Sequence, residues 1–230
     1  MNKRIKLLLA AVSLLAATSC TQKTEKYAQK EHGKKFGAWE MNYNAGDYDV
    51  YWPSLKLTDD VKGTLREVDT ERNWWSGAII RRDTTLATAN MGIKIYSLKS
   101  KNDARYYNSV RFRVANSDKK YRPRLDHKFI INEGQKDSVS FTAKSNSEDD
   151  FVPERAVSER IVTLLSEKRP IIVKVICEIS DYEGVYSFEM EGSSKLKPAL
   201  KLNEERKIIA NKEFSKADTK VEKEFMKMFE

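Results

Sequence analysis

From residue 36 onward, apolar positions recur mostly at every second residue, the spacing of a strand with one buried face. In FGAWEMNY, Trp39, Met41 and Tyr43 alternate with polar neighbours, and in NSVRFRVAN, Val110, Phe112 and Val114 oppose Arg111 and Arg113. TLREV (64–68), WWSGAIIRR (74–82) and MGIKIYSLK (91–99) read as further strands, and a strand at 74–82 would put Trp74 and Trp75 on opposite faces. HKFIINE and DSVSFTAK flank Gly134-Gln135-Lys136, which predicts a hairpin with Phe129, Ile131, Val139 and Phe141 inward. The period then lengthens. In PERAVSERIVTLLSEK, Val157, Ile161, Leu164 and Leu165 share one helical face, with Pro153 in the first turn and Pro170 as the stop. IIVKVICEIS and GVYSFEMEG predict another strand pair turned at Tyr182–Gly184, and Ser193 or Ser194 caps a short helix after it.

Together these elements predict a mainly β fold: an antiparallel β-sandwich of about 8–9 strands, with one short helix inserted and a C-terminal amphipathic helix. That last helix is expected as a unit of its own over 203–230, packing on the domain or, in a sharper reading, binding a partner. There Ala210, Phe214, Ala217, Val221, Phe225 and Met228 recur at helical spacing, and seven bases balance seven acids.

The N-terminus follows a different logic. MNKRIK is basic, and residues 7–17 (LLLAAVSLLAA) form an apolar run too short to span a membrane but suited to an export signal. The run ends in Ala17-Thr18-Ser19-Cys20, which resembles the lipobox of bacterial lipoproteins, with Ala17 where leucine is usual. The resemblance implies a signal peptide over 1–19, a palmitate-type lipid on Cys20, and a membrane partner through that lipid. Two or more acyl chains hold a protein stably, whereas one is marginal. Thr21 in place of aspartate implies the outer membrane, and the lack of an acidic run after Cys20 implies the side facing the periplasm. Residues 20–35, polar and without a hydrophobic period, read as the lipidated cysteine and a flexible tether to a β-sandwich domain over 36–202.

The block from SVRFRV to KPALK resembles small exported bacterial domains of the type VI secretion-associated VasI type and relatives of the invasion-associated locus B family. The matching residues are Arg111, Phe112, Leu164, Leu165, Ile172, Val173, Phe188, Gly192, Ala199 and Leu200. The resemblance implies an exported β-rich fold and no enzyme activity.

Composition adds little to the fold and more to the chemistry. The net charge is +8, of which Lys3, Arg4 and Lys6 supply +3; the remaining +5 is too mild to imply nucleic acid. That same +5 is concentrated in residues 111–128, where Arg111, Arg113, Lys119, Lys120, Arg122, Arg124 and Lys128 outnumber Asp118 and Asp126. Tyr106, Tyr107 and Tyr121 are interleaved with them. Arginine and aromatic residues are enriched at interface hot spots. Trp74 and Trp75, with Trp52, are candidates for stacking on a sugar or a partner.

The chemical kit for catalysis is thin. Of two histidines, His32 falls in the tether and His127 beside Phe129 and Ile131 on a strand, as a structural histidine would. No HExxH, CxxC, G-x-S-x-G or glycine-rich phosphate loop occurs. The acidic loop at 42–49 lacks EF-hand spacing and its closing glutamate. Neither a metal nor a cofactor is expected. With Cys20 acylated, Cys177 alone remains, on a strand face with Val173 and Val175, as a buried small hydrophobe.

Three function classes follow. The first is a lipid-anchored, non-enzymatic interaction or accessory module that meets an envelope protein or acidic glycan through the basic strand face. The second is a glycan-binding or adhesin-like domain using exposed Trp and Tyr. The third is a hydrolase built on His127.

Overall fold

The computed structural model describes residues 22–116, 126–145, 150–179 and 181–226. The fold is mainly antiparallel β with three helices. Helix α1 (Gln22–Glu31) leads into β1 (Lys35–Phe36), β2 (Trp39–Ala45), β3 (Tyr51–Leu57), β4 (Val61–Arg72), β5 (Ile79–Lys99) and β6 (Tyr106–Asn116). Then come β7 (His127–Ile131), β8 (Val139–Ala143), α2 (Arg155–Leu165), β9 (Pro170–Ile179), β10 (Tyr182–Glu191) and α3 (Leu196–Met226).

All ten strands are linked in one hydrogen-bonded sheet, ordered β1-β2-β3-β5-β4-β10-β9-β7-β8, with β6 paired to β5. Strand β5 makes this possible by its length. Its first part pairs with β4, its second part with β6, and Lys94 and Ile95 with β3. The sheet also turns back on itself. Phe151 exchanges backbone hydrogen bonds with Phe112 of β6 (3.0 and 2.7 Å) and bridges Ser145, just past the end of β8. This seam joins the two ends of the run from β6 to β8. Inside it Phe129 stacks on Phe141 at 4.7 Å, with Phe112 and Phe151 each within 5.3 Å of Phe129. The alternation in β2, β6, β7 and β9 that predicts strands thus puts the expected residues inside: Trp39, Met41, Val110, Phe112, Phe129, Val173 and Cys177 are all buried. The hairpin pairs Phe129 with Phe141 and Ile131 with Val139. Helix α2 lies on β6 and β8 with Ile161, Leu164 and Leu165 inward, and it starts two residues after Pro153.

Two segments differ from expectation. The tether expected over 20–35 is, from Gln22 onward, a helix packed on the domain, with Thr24, Ala28 and Glu31 buried. Its contacts are largely polar: the Thr24 N–H donates to Glu213 Oε2 at 3.3 Å, and Glu31 forms a two-pronged ion pair with Arg206 (2.7 and 2.8 Å). A hydrophobic pattern does not register such contacts. The C-terminal helix expected over 203–230 packs on the domain, as one of its two readings had it, but begins earlier. One helix runs from Leu196 to Met226 across β2, β3 and β5, with Leu196, Ala199, Asn203, Ala210, Glu213 and Ala217 as its buried stripe. Asn203 and Glu213 are polar members of that stripe, so the pattern breaks in the sequence where the helix does not.

Candidate functional site

The basic face proposed from the sequence divides. Lys119, Lys120, Arg122 and Arg124 lie outside the described residues, as does Cys20. Arg111 and Arg113 leave β6 on one side and converge on the buried carboxylate of Asp150, at 3.8 and 3.2 Å. Arg111 also stacks over Tyr96, 4.3 Å from the ring centre. Asp150 directly precedes Phe151, so these two guanidiniums fasten the seam that closes the sheet. The Arg113–Asp150 contact is a charged hydrogen bond, of a kind that contributes about 1.5–3 kcal/mol, and Arg111 adds a longer ion pair. Both guanidiniums thus have a partner at the seam, while the Arg113 side chain stays half-exposed beside it.

His127 is also interior. It is 1% exposed, lies 4.6 Å from the Phe151 ring, and faces Ala143 and Cys177 across its two neighbouring strands. Its imidazole is shielded from solvent and from any substrate in it. No group of three His, Cys, Asp or Glu that could hold a metal occurs among the described residues.

The tryptophans stand out. Instead of a strand at 74–82, residues 73–78 form the turn between β4 and β5, so Trp74 and Trp75 share a tip rather than occupying opposite faces. The ladder between β4 and β5 runs out to Arg72 and Ile79, past the last β10 partner at Asp69 and past the β6 partners that begin at Ala89. The end of the hairpin is thus a two-stranded ribbon standing roughly 10–15 Å clear of its neighbours. Trp74 and Trp75 are each 79% exposed, and Ile79 and Ile80 are exposed beside them. The indoles lie against each other with ring centres 3.9 Å apart.

The tip is held firmly. Asn73 Oδ1 accepts hydrogen bonds from the N–H groups of Trp75 and Ser76, both at 3.0 Å. Asn73 and Gly77 close the turn through Asn73 N–H to Ala78 O (2.7 Å) and Gly77 N–H to Asn73 O (2.8 Å). Gly77 adopts φ +69°, a conformation open to glycine. From Asn73 to Ile80 there is no charge. The arginines below are matched: Arg72 with Asp181 (2.9 Å), Arg81 with Asp83 (2.8 Å), and Arg66 with Glu183 (3.4 Å). The asparagine–glycine spacing Asn73–Gly77 was the legible signal for a turn here; the aromatic-aliphatic run WWSGAII masked it.

A second feature was invisible in the sequence. A cleft of about 570 Å³ opens between the β5–β6 loop, the start of α2 and the middle of α3, lined by Lys99, Lys101, Arg155, Lys207, Tyr107 and Asn211 among others. Lys207 is half-buried, its Nζ 3.8 Å above the Trp52 ring. Burial pushes its pKa down to about 8. Trp52, a stacking candidate from the sequence, thus packs beneath a lysine and 5.7 Å from Phe214. Comparison with family models, curated proteins and solved structures gives no match to this chain.

Proposed function

We propose that this protein is a lipid-anchored, non-enzymatic accessory module of the bacterial envelope, attached through Cys20 on the periplasmic side of the outer membrane, and that it engages an envelope protein through the Trp74–Trp75 tip. The observation that carries the reading is four large apolar side chains, Trp74 and Trp75 on a hydrogen-bonded, charge-free turn and Ile79 and Ile80 at the start of β5, all exposed. Monomeric proteins seldom expose contiguous apolar surface without a use for it, and tryptophan is the residue most enriched at interface hot spots. The turn is ordered before contact, so little conformational entropy is lost on binding. No helix of the described residues is long and apolar enough to cross a membrane, so attachment in this reading rests on the lipid.

The test is a photo-crosslinking amino acid at position 75 in cells. A discrete protein adduct that disappears on Trp74→Ala supports the reading. A glycan adduct supports the adhesin-like alternative, which the two exposed indoles also favour because sugars pack on flat aromatic faces. Absence of any adduct would sink both. Attachment is checked separately, by labelled fatty acid incorporated into the wild type and absent from Cys20→Ala.

A further inference from the structure

The cleft beside α3 is a different kind of surface, and it stands independently of the ribbon. Among the described residues four cationic side chains line it and no carboxylate does. One of the four is already neutralised: Arg155 binds Glu159 (3.1 Å) and Asp103 (3.2 Å) and stacks over Tyr107. Lys99, Lys101 and Lys207 have no ion-pair partner among the described residues. Lys207 is the informative one. A half-buried ammonium with no opposing charge is costly, and proteins normally pair such a group or expel it to solvent. Here it is held toward the cavity over Trp52, where only the ring's π face offsets the lost hydration.

The walls are fixed in place. The Asn211 amide donates to the Tyr106 hydroxyl at 2.7 Å, which ties α3 to β6. In the β5–β6 loop, Ser100 N–H donates to Arg105 O (2.8 Å) and Arg105 N–H to Asp103 Oδ1 (3.2 Å). Ala104 is held at φ +56°, a conformation that a residue with a Cβ seldom adopts. The cavity is therefore preformed, and its size suits a small organic molecule better than a bare ion.

We infer that this cleft binds a phosphoryl group carried on a small organic body, with Lys207 as its central contact and Lys99 and Lys101 at the mouth. Three unmatched ammoniums call for an anion, which a phosphoryl group supplies, with up to two charges in a monoester and one in a diester. Lysine binds phosphate as a mobile point charge that needs no fixed bidentate geometry. Ser100, Asn102 and Asn211 add neutral hydrogen-bonding groups to the lining. The same phosphoryl chemistry reaches an envelope protein from two sources, a soluble phosphomonoester or a phospholipid headgroup.

The experiment titrates the full chain, in a non-ionic detergent, with glycerol 3-phosphate and separately with glycerophosphoglycerol, the deacylated phosphodiester headgroup. Glycerol is the neutral control. Heat of binding and Trp52 emission are followed, since a ligand on Lys207 alters the charge directly above that indole. Saturable binding of either probe, weakened about tenfold or more by Lys207→Gln, supports the site. Preference for the monoester points to a soluble ligand, and preference for the diester to a lipid headgroup. Lys207→Gln removes a cation from a site that disfavours it, so folding is retained. Lys101→Gln, at an exposed position, gives a second and smaller loss, of about two- to threefold. The groups facing Lys207 across the cleft are Lys99, Lys101, Tyr107 and Arg155 with its two carboxylates, and Glu204 lies one turn back on α3. Affinity falls as pH rises past about 8, where Lys207 gives up its proton, and the Lys207→Gln variant lacks that step. No saturable binding of either probe up to about 10 mM, or equal affinity in Lys207→Gln, overturns the proposal.

Discussion

Arg206 and Lys207 are adjacent on α3, yet the two sides of the helix they serve differ in kind. Arg206 points toward α1, where Glu31 accepts both prongs of its guanidinium, the Tyr43 hydroxyl donates to the same carboxylate at 2.7 Å, and the Tyr27 ring lies 4.0 Å from the cation. Lys207 points toward the cleft, with one aromatic face beneath it and no carboxylate. The first side is electrostatically complete and holds the protein together. The second is incomplete and leaves work for a ligand. Arg111 and Arg113 belong with Arg206, because both are drawn to a buried carboxylate, that of Asp150. Charge density along a sequence therefore does not locate a binding surface; unmatched charge in a cavity does.

The largest effect is expected where matching is tightest. Arg206→Met leaves Glu31 buried without its counter-ion and costs about 3–5 kcal/mol, read as a lower urea midpoint. The double variant Glu31→Gln/Arg206→Met recovers much of that loss, since no lone charge remains. A double variant as unstable as the single one breaks the comparison. The pair also sets a pH dependence. Burial raises the Glu31 pKa, but Arg206 and Tyr43 outweigh it and hold the carboxyl below its ordinary 4.5. The stability it contributes is complete above that value and is lost as pH falls through the lowered pKa. Urea midpoints measured across this acid range decline in the wild type and decline less in Glu31→Gln.

Next in size is Asp150→Asn, which removes the charge that gathers Arg111 and Arg113 at the seam. It costs about 1.5–3 kcal/mol in the same measurement. Lys207 gives the opposite sign. Its pKa is pushed down by burial from 10.5 to about 8, so between these values the unfolded chain holds the proton and the folded chain has released it. Stability from this group therefore rises with pH across that window. Lys207→Gln flattens the rise and is no less stable than wild type at pH 7; a clear loss at pH 7 makes Lys207 a structural residue. The smallest effect is at the ribbon. Trp74→Ala and Trp75→Ala each change folding stability by less than about 0.5 kcal/mol, because both indoles are exposed. Unfolding midpoints that match wild type, alongside lost crosslinking at the tip, separate contact from support.

Much of the β architecture was legible because one-sided burial writes a period of two into the chain. Val110, Phe112 and Val114 in β6, and Phe129 and Ile131 in β7, are inside as their spacing requires. The amphipathic stripe of α2 was equally readable. Helix α1 was not, because its docking relies on Thr24 and Glu31 meeting Glu213 and Arg206 almost two hundred residues away. The ribbon tip was misread for a related reason. Tryptophan and isoleucine favour strands by propensity, but the hydrogen bonds of Asn73 and the left-handed Gly77 turn the chain there. Of the candidate residues, Trp74 and Trp75 are exposed, Arg111 and Arg113 reach toward a buried carboxylate, and Lys207 had no signal at all in a run of balanced charges.

The sequence by itself determined a mainly antiparallel β body with an inserted helix and a helical C-terminal segment, because alternation and helical period are local consequences of which side chains avoid water. Only the tertiary structure decided that β5 joins three neighbours, that Phe151 closes the seam, and that Asp150 draws two arginines together while Lys207 has no carboxylate partner among the described residues. Such matching depends on residues far apart in the chain reaching within a few ångströms of each other, and no local pattern carries that information.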